Sequence, residues 1–266
     1  MIRRSYGPRP CSLIPVAIPY YDPMSPLSGV LGEAWDMYKR FAAHFIAISF
    51  SVYVVIAVVS GLLTWALGSF GAFIGVILTL FGAFLLQAAL VKAVQDVRDG
   101  TVDLDLRGTI SAALPFVGSV AIASILAAIG IGIGFVLIIV PGLILLTFWS
   151  LLVPEIVIGG SSALDSFGRS WRTVRGYGWN VFGTLVMVWI VMIVLEIVLS
   201  LILLALPQGW RSSISDLVSG ALVAPYLAAV VTLVYYRLSA AHGERAEPAQ
   251  PGAGYGDPYE GGGFGA

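Results

Sequence analysis

Six apolar blocks, separated by short polar or glycine-rich breaks, organise residues 45 to 238. A helix rises about 1.5 Å per residue and needs about 20 apolar residues to cross a bilayer core, so each block is read as one span. The first, FIAISFSVYVVIAVVSGLLTWAL at 45–67, is joined by a GSFG turn to GAFIGVILTLFGAFLLQAALV at 71–91. The block at 110–158 is too long for one crossing, and Pro141-Gly142 divides it into helices over 110–140 and 143–158, with a kink expected at Pro154. Spans five and six follow at about 178–206 and 213–238, the latter carrying Pro225 at mid-span. The predicted fold is therefore all-α integral membrane, six transmembrane helices arranged as three hairpins.

Two shorter segments show helical periodicity with a charged face instead of continuous apolarity. Before span five, Leu164, Phe167, Trp171 and Val174 form an apolar stripe while Asp165, Arg169, Arg172 and Arg175 take the remaining surface. Ser162 and Asp165 fit a capping box, and Gly176 a helix stop. Before span one, Leu31, Ala34, Trp35, Tyr38 and Phe41 make a similar stripe, followed by Lys39 and Arg40 on the polar side. Leu31-Gly32-Glu33-Ala34-Trp35 aligns with Phe167-Gly168-Arg169-Ser170-Trp171 at a constant offset of 136 residues, and a weaker third copy begins at Asp105. The chain thus reads as three units, each a short amphipathic helix followed by a membrane hairpin.

Charge orients this arrangement. With six spans, 13 of the 14 basic residues fall on the side that holds both termini, and only Arg211 falls on the other. Cytoplasmic loops collect Lys and Arg, which predicts cytoplasmic termini and a cytoplasmic face for both amphipathic helices. Arg169, Arg172, Arg175, Lys39 and Arg40 are then expected to face anionic lipid headgroups. The predominance of arginine over lysine, with abundant Ala, Gly and Val, suggests a GC-rich bacterial genome, and the location expected is the bacterial inner membrane.

Composition removes the soluble alternatives. Hydrophobic residues make up 58% of the chain and charged residues 11%, where soluble domains hold about 45–50% and roughly 25%. A net charge of −1 gives no basic field for nucleic acid. The single cysteine, Cys11, leaves no internal disulfide. Residues 1–27 are expected to form a flexible arm, with Met24 a natural start for the ordered part, residues 28–240 the membrane domain, and 241–266 a disordered Gly/Pro-rich tail.

Candidate chemistry is sparse. Asp96-Val-Arg-Asp99-Gly100 is similar to the first half of the metal-binding signature of CDP-alcohol phosphotransferases, but the downstream carboxylates are lacking, so it reads as a solvated loop. His44, His242 and Cys11 lack metal-ligand spacing. No catalytic, metal or cofactor-binding group is therefore expected. Glu196 lies inside span five, where a charge costs about 2.5–3.5 kcal/mol or more, so it is expected to be held in the bundle interior, as a structural acid or as the polar site of a small transporter or lipid-translocating component. Glu155, near the cytoplasmic end of span four, is expected within reach of headgroups and of Lys92. Small-residue rows at Gly71/Gly75, Ser119/Ala123/Ala127 and Gly220/Ala224/Ala228 permit close helix packing, within the chain or in a homo- or hetero-oligomer.

The stretch PGLILLTFWSLLVPEIVIGGSSALDSFGRSWRTVRGYGWNVFG, with SGVLGEAWDMYKRF before span one, resembles the membrane-domain family named for glycerophosphoryl diester phosphodiesterases. The likeness lies in the Pro-Gly turn, the proline late in the next helix, and Ser170-Trp171-x-x-Val174-Arg175-Gly176. It implies a stand-alone membrane domain without the catalytic barrel, hence a non-enzymatic protein with an envelope or lipid-related role.

Overall fold

The computed structural model describes residues 26–202 and 208–243, with side chains at 208–217 and 219 left aside. The described residues are helical, in the order α1 (Val30–Leu67), α2 (Ser69–Asp96), α3 (Leu106–Ala113), α4 (Val117–Leu137), α5 (Ile139–Phe148), α6 (Leu152–Val157), α7 (Asp165–Val174), α8 (Gly178–Ile202) and α9 (Gln208–Ala241). Six helical segments are long and apolar enough to cross a membrane, with α3–α4 and α5–α6 each counted as one. The expected arm at 1–27 and tail at 241–266 lie almost wholly outside the described residues.

Burial sorts the six segments into two sets. The most apolar windows of the first, third and fifth are 17%, 22% and 11% buried, whereas those of the second, fourth and sixth are 39%, 39% and 56% buried. α2, α6 and α9 touch one another, and α1, α4 and α8 lie outside them. Large apolar residues such as Val58, Ile129 and Ile193 consequently remain exposed, which is the surface that lipid would solvate.

Close approach follows from glycine. A Cβ on Gly71 would lie 1.8 Å from the Leu63 carbonyl oxygen, and one on Gly75 3.2 Å from Ser60 Cβ, so these positions admit α1 against α2. A Cβ on Gly134 would fall 2.9 Å from Gly142 Cα, which explains the GIGIGF run as a packing seam between α4 and α5. Gly220 receives the Tyr53 ring. The rows at Gly71/Gly75 and Gly220 are thus filled by this chain's own helices, and Ala123 and Ala127 are buried within it too.

The three short segments ahead of the spans share one burial pattern. Val30, Ala34 and Tyr38, then Thr109, Ala113 and Val117, then Ser166, Ser170 and Val174 are all buried at four-residue spacing. The outer two sets keep the sequence offset of 136, and Asp105 caps the middle segment by accepting from the Gly108 N–H at 2.7 Å. α3 packs on α1 and α2, α7 on α5 and α6, and the start of α1 on α9. The last contact is tied by Arg237 of α9, which donates to the carbonyls of Pro26 (3.2 Å) and Ser28 (2.6 Å) and pairs with Glu33. Replacing Arg237 with Ala should cost about 1–3 kcal/mol by leaving these acceptors without their charged donor. Thermal unfolding in detergent reads the loss, and an unchanged midpoint would show that the tie is not structural.

The short helix expected before span one is present as the first part of α1, set off from the span by non-helical backbone at Phe41 (φ −113°, ψ 21°). Two boundaries differ from expectation. The break between spans three and four falls at Ile138 (φ −160°, ψ 147°), and Pro141 sits in the first turn of α5. Proline is tolerated there because the first-turn N–H groups have no intrahelical acceptor. The fourth span is broken at Trp149–Leu151, ahead of Pro154, which occupies the first turn of α6.

Candidate functional site

The break between α5 and α6 creates the most polar buried region among the described residues. Pro154 has no N–H to offer the Ser150 carbonyl, and Trp149 (φ −102°, ψ 9°) and Leu151 (φ −99°, ψ 12°) leave the helical course. Carbonyls released there are taken up by hydroxyls: Ser150 Oγ donates to Thr147 O at 2.8 Å, and Ser170 Oγ of α7 donates to Phe148 O at 2.6 Å. α6 then turns Glu155 inward, where it is only 3% exposed. Thr173 Oγ1 donates to Glu155 Oε1 at 2.7 Å. The Glu155 carbonyl accepts from Ser161 N–H (3.1 Å) and Ser161 Oγ (2.7 Å), folding the 158–162 loop back over α6. Gly159 fits because it lacks a Cβ, which would come within 3.0 Å of both Glu155 Oε2 and the Tyr235 hydroxyl.

α7 forms the roof of this region. Ser162 accepts the Asp165 N–H at 3.2 Å and donates to Asp165 Oδ2 at 2.7 Å, a capping arrangement at the expected pair. Gly176 ends the helix at φ 94°. The face turned to the protein matches the expected stripe only in part: Val174 is buried and Phe167 packs against the core, but hydroxyls replace Leu164 and Trp171. Ser166, Ser170, Thr173 and Val174 are buried, Leu164 is 69% exposed, and Trp171 is 39% exposed while stacking on Phe148 at 4.1 Å. Phe167 meets Trp149 edge-on at 4.9 Å. Ser170 docks on the Phe148 carbonyl at the break and Thr173 on the Glu155 carboxylate, whereas Ser166 donates to the Ala163 carbonyl at 2.7 Å, and Leu164 and Trp171 are left at the border.

The predicted site residues separate into three groups. Arg169, Arg172 and Arg175 are exposed; Arg169 reaches the Gly159 carbonyl at 3.5 Å, and none forms an ion pair among the described residues. Lys39 pairs with Asp36 at 2.9 Å on an open surface, and Arg40 is exposed beside it. Glu155 corrects the expectation of contact with headgroups and Lys92: it is enclosed by hydroxyls, and Lys92 instead donates to Gln95 Oε1 at 3.1 Å and lies 5.0 Å from the Phe116 ring. Glu196 corrects the expectation of a bundle interior. It is exposed, with no hydrogen bond or ion pair among the described residues, because α8 lies at the outside of the bundle.

The loop acids act on their own backbone. Asp96 Oδ2 accepts the N–H groups of Asp103 (3.2 Å) and Leu104 (3.0 Å), and Asp99 Oδ1 accepts from Thr101 N–H at 3.1 Å. Among the described residues no three His, Cys, Asp or Glu side chains gather as a metal site. Thr173 and Ser161 carry no sequence expectation, and Ser170 carries one only as part of the repeat and the Ser-Trp motif, although Ser166, Ser170 and Thr173 stand at helical spacing and mark a polar docking face.

The family model for a domain of unknown function, DUF7847, matches residues 104–242, more than half of the chain. The chain belongs to the DUF7847 family. That match takes in α3 through α9, and so includes Glu155, α7 and the three exposed arginines Arg169, Arg172 and Arg175. No curated protein and no solved structure matches the chain.

Proposed function

We propose that this DUF7847 protein is a non-catalytic, six-span protein of the bacterial inner membrane, built as three hairpins with both termini in the cytoplasm, whose helix α7 engages anionic lipid headgroups in an envelope or lipid-related role. The observation that carries the reading is the outer surface of α7: Arg169, Arg172 and Arg175 stand exposed beside the exposed apolar Leu164 and the half-exposed Trp171. A helix with that pairing settles at the boundary between headgroups and acyl chains, each arginine contributing about 1 kcal/mol on an anionic surface. The one-sided distribution of basic residues supports the cytoplasmic assignment, and the resemblance to the glycerophosphoryl diester phosphodiesterase membrane domains supports the envelope role. The transport alternative has less support, since Glu196 is not enclosed.

A fluorophore at Leu164→Cys, in a Cys11→Ser background, tests this. In nanodiscs its emission should shift to the blue when zwitterionic lipid is replaced by anionic lipid. Changing Arg169, Arg172 and Arg175 to Gln together should remove that dependence. Emission that ignores lipid charge, or a response that survives the triple change, would overturn the headgroup role.

A further inference from the structure

The third pair of spans departs from the other two. α1 meets α2 through Gly71, Gly75 and Gly82, and α4 meets α5 through Gly130, Gly134 and Gly142. α8 has neither glycine nor alanine from Thr184 to Ile202, and Gly220 of α9 is already occupied by Tyr53 of α1. With no Gly, Ala, Ser or Thr between Leu185 and Leu199 to admit a backbone, α8 makes far less contact with α9, among the described residues, than the helices of the other two pairs make with each other. A groove of about 500 Å³ is left between them, walled by Val194 and Val198 of α8, Val223 and Tyr226 of α9, and Trp35 and Tyr38 of α1. That volume lies within the range of small-molecule sites, about 300–1,000 Å³.

We infer that this groove holds an acyl chain of an anionic phospholipid, with the phosphate at Lys39. Its wall is almost wholly apolar, which suits a hydrocarbon chain and offers nothing to a polar ligand. Tyr226 packs edge-on against Trp35 at 6.0 Å and Tyr38 at 6.3 Å, forming an aromatic end of the kind found at the headgroup boundary. Lys39 lies 5.9 Å from the Trp35 ring, and Arg40 is exposed next to it. Of the acids nearby, Glu33 is engaged by Arg237, and the Asp36–Lys39 pair is 75% and 55% exposed, a weak contact that a phosphate can displace. The inference rests on the membrane-spanning part of the proposed function and not on the headgroup contact of α7.

Photocrosslinking of the full chain in nanodiscs tests it, using phosphatidylglycerol or phosphatidylcholine with a diazirine in one acyl chain and mapping the adducts by mass spectrometry. Adducts on Ile125 and Ile129 of α4, both exposed, report embedding in the bilayer; their absence would defeat the spanning reading itself. Adducts on Val194, Val198 and Val223 should exceed those on α4 and favour phosphatidylglycerol. Val194→Trp should reduce groove adducts about tenfold relative to α4, equivalent to roughly 1.4 kcal/mol, while Val194→Ala keeps them. Lys39→Gln should remove the preference for phosphatidylglycerol. Even labelling of groove and α4, insensitivity to Val194→Trp at an unchanged unfolding midpoint, or an intact preference in Lys39→Gln would overturn the proposal. Should Val194→Trp fail to fold, the Val194→Ala and Lys39→Gln results decide. Protein–protein adducts in place of lipid adducts would mean that a second copy fills the groove, and would overturn it equally.

Discussion

Gly71→Ala should destabilise the protein by about 3 kcal/mol or more, the upper part of the range for overpacking. The added Cβ would stand 1.8 Å from the oxygen, 2.4 Å from the carbon of the Leu63 carbonyl and 2.9 Å from the Thr64 nitrogen. These are backbone atoms of the facing helix, so no rotamer change relieves the clash. The helices cannot part locally either, because they are joined through the single residue Gly68 at φ 59°. Gly118→Ala is the control. No atom lies within 4 Å of a Cβ there, and helix propensity alone favours Ala over Gly by about 0.5–1 kcal/mol. Thermal unfolding in detergent should separate the two variants widely, and comparable midpoints would mean that α1 and α2 do not approach as closely as Gly71 requires.

The contrast between these glycines shows what the sequence made legible. Small-residue spacing indicated close packing at Gly71 and Gly75, and the structure places α1 there; it could not indicate whether the partner was this chain or another. Span number was readable because burial in lipid demands long uninterrupted apolar stretches, and that demand acts on each helix separately. Lateral position was not readable by the same logic. α8 is apolar on nearly all faces, so no stripe marked which side met the protein, and Glu196 was assigned to an interior that α8 does not occupy.

Prolines were informative about regions more than positions. Pro141 and Pro154 both mark real interruptions, yet each sits in the first turn of the following helix and the chain bends ahead of it, at Ile138 and at Trp149–Leu151. The docking face of α7 is hidden in the sequence for a related reason. Its arginines and aromatic residues dominate the pattern, and Ser and Thr at helical spacing serve equally on a solvated face. What makes that face an interior one is the Phe148 carbonyl, which accepts from Ser170, and the inward Glu155 carboxylate, which accepts from Thr173, both placed by the broken geometry of α5–α6.

Glu155→Leu should be destabilising by about 1–3 kcal/mol, and mostly through its partner. The change is close in size and adds apolar surface at a site only 3% exposed, which by itself is favourable. Against this, the Thr173 hydroxyl loses the carboxylate oxygen it donates to at 2.7 Å, and a buried donor without an acceptor costs about 1–3 kcal/mol. Thr173→Val alone removes the donor but leaves the acid deprived of one bond, so it too should destabilise. The double variant Glu155→Leu/Thr173→Val strands neither group of this pair, and its loss should be clearly smaller than the sum of the two single losses. Glu155→Gln keeps an acceptor oxygen and should retain most of the stability. The same variants bear on α7, because Thr173 and Ser170 are the hydroxyls that hold it to the α5–α6 break. If the losses of the single variants simply add in the double, the Glu155–Thr173 contact does not fasten α7, and the seating of its arginine face depends on Ser170 and the aromatic stacks instead.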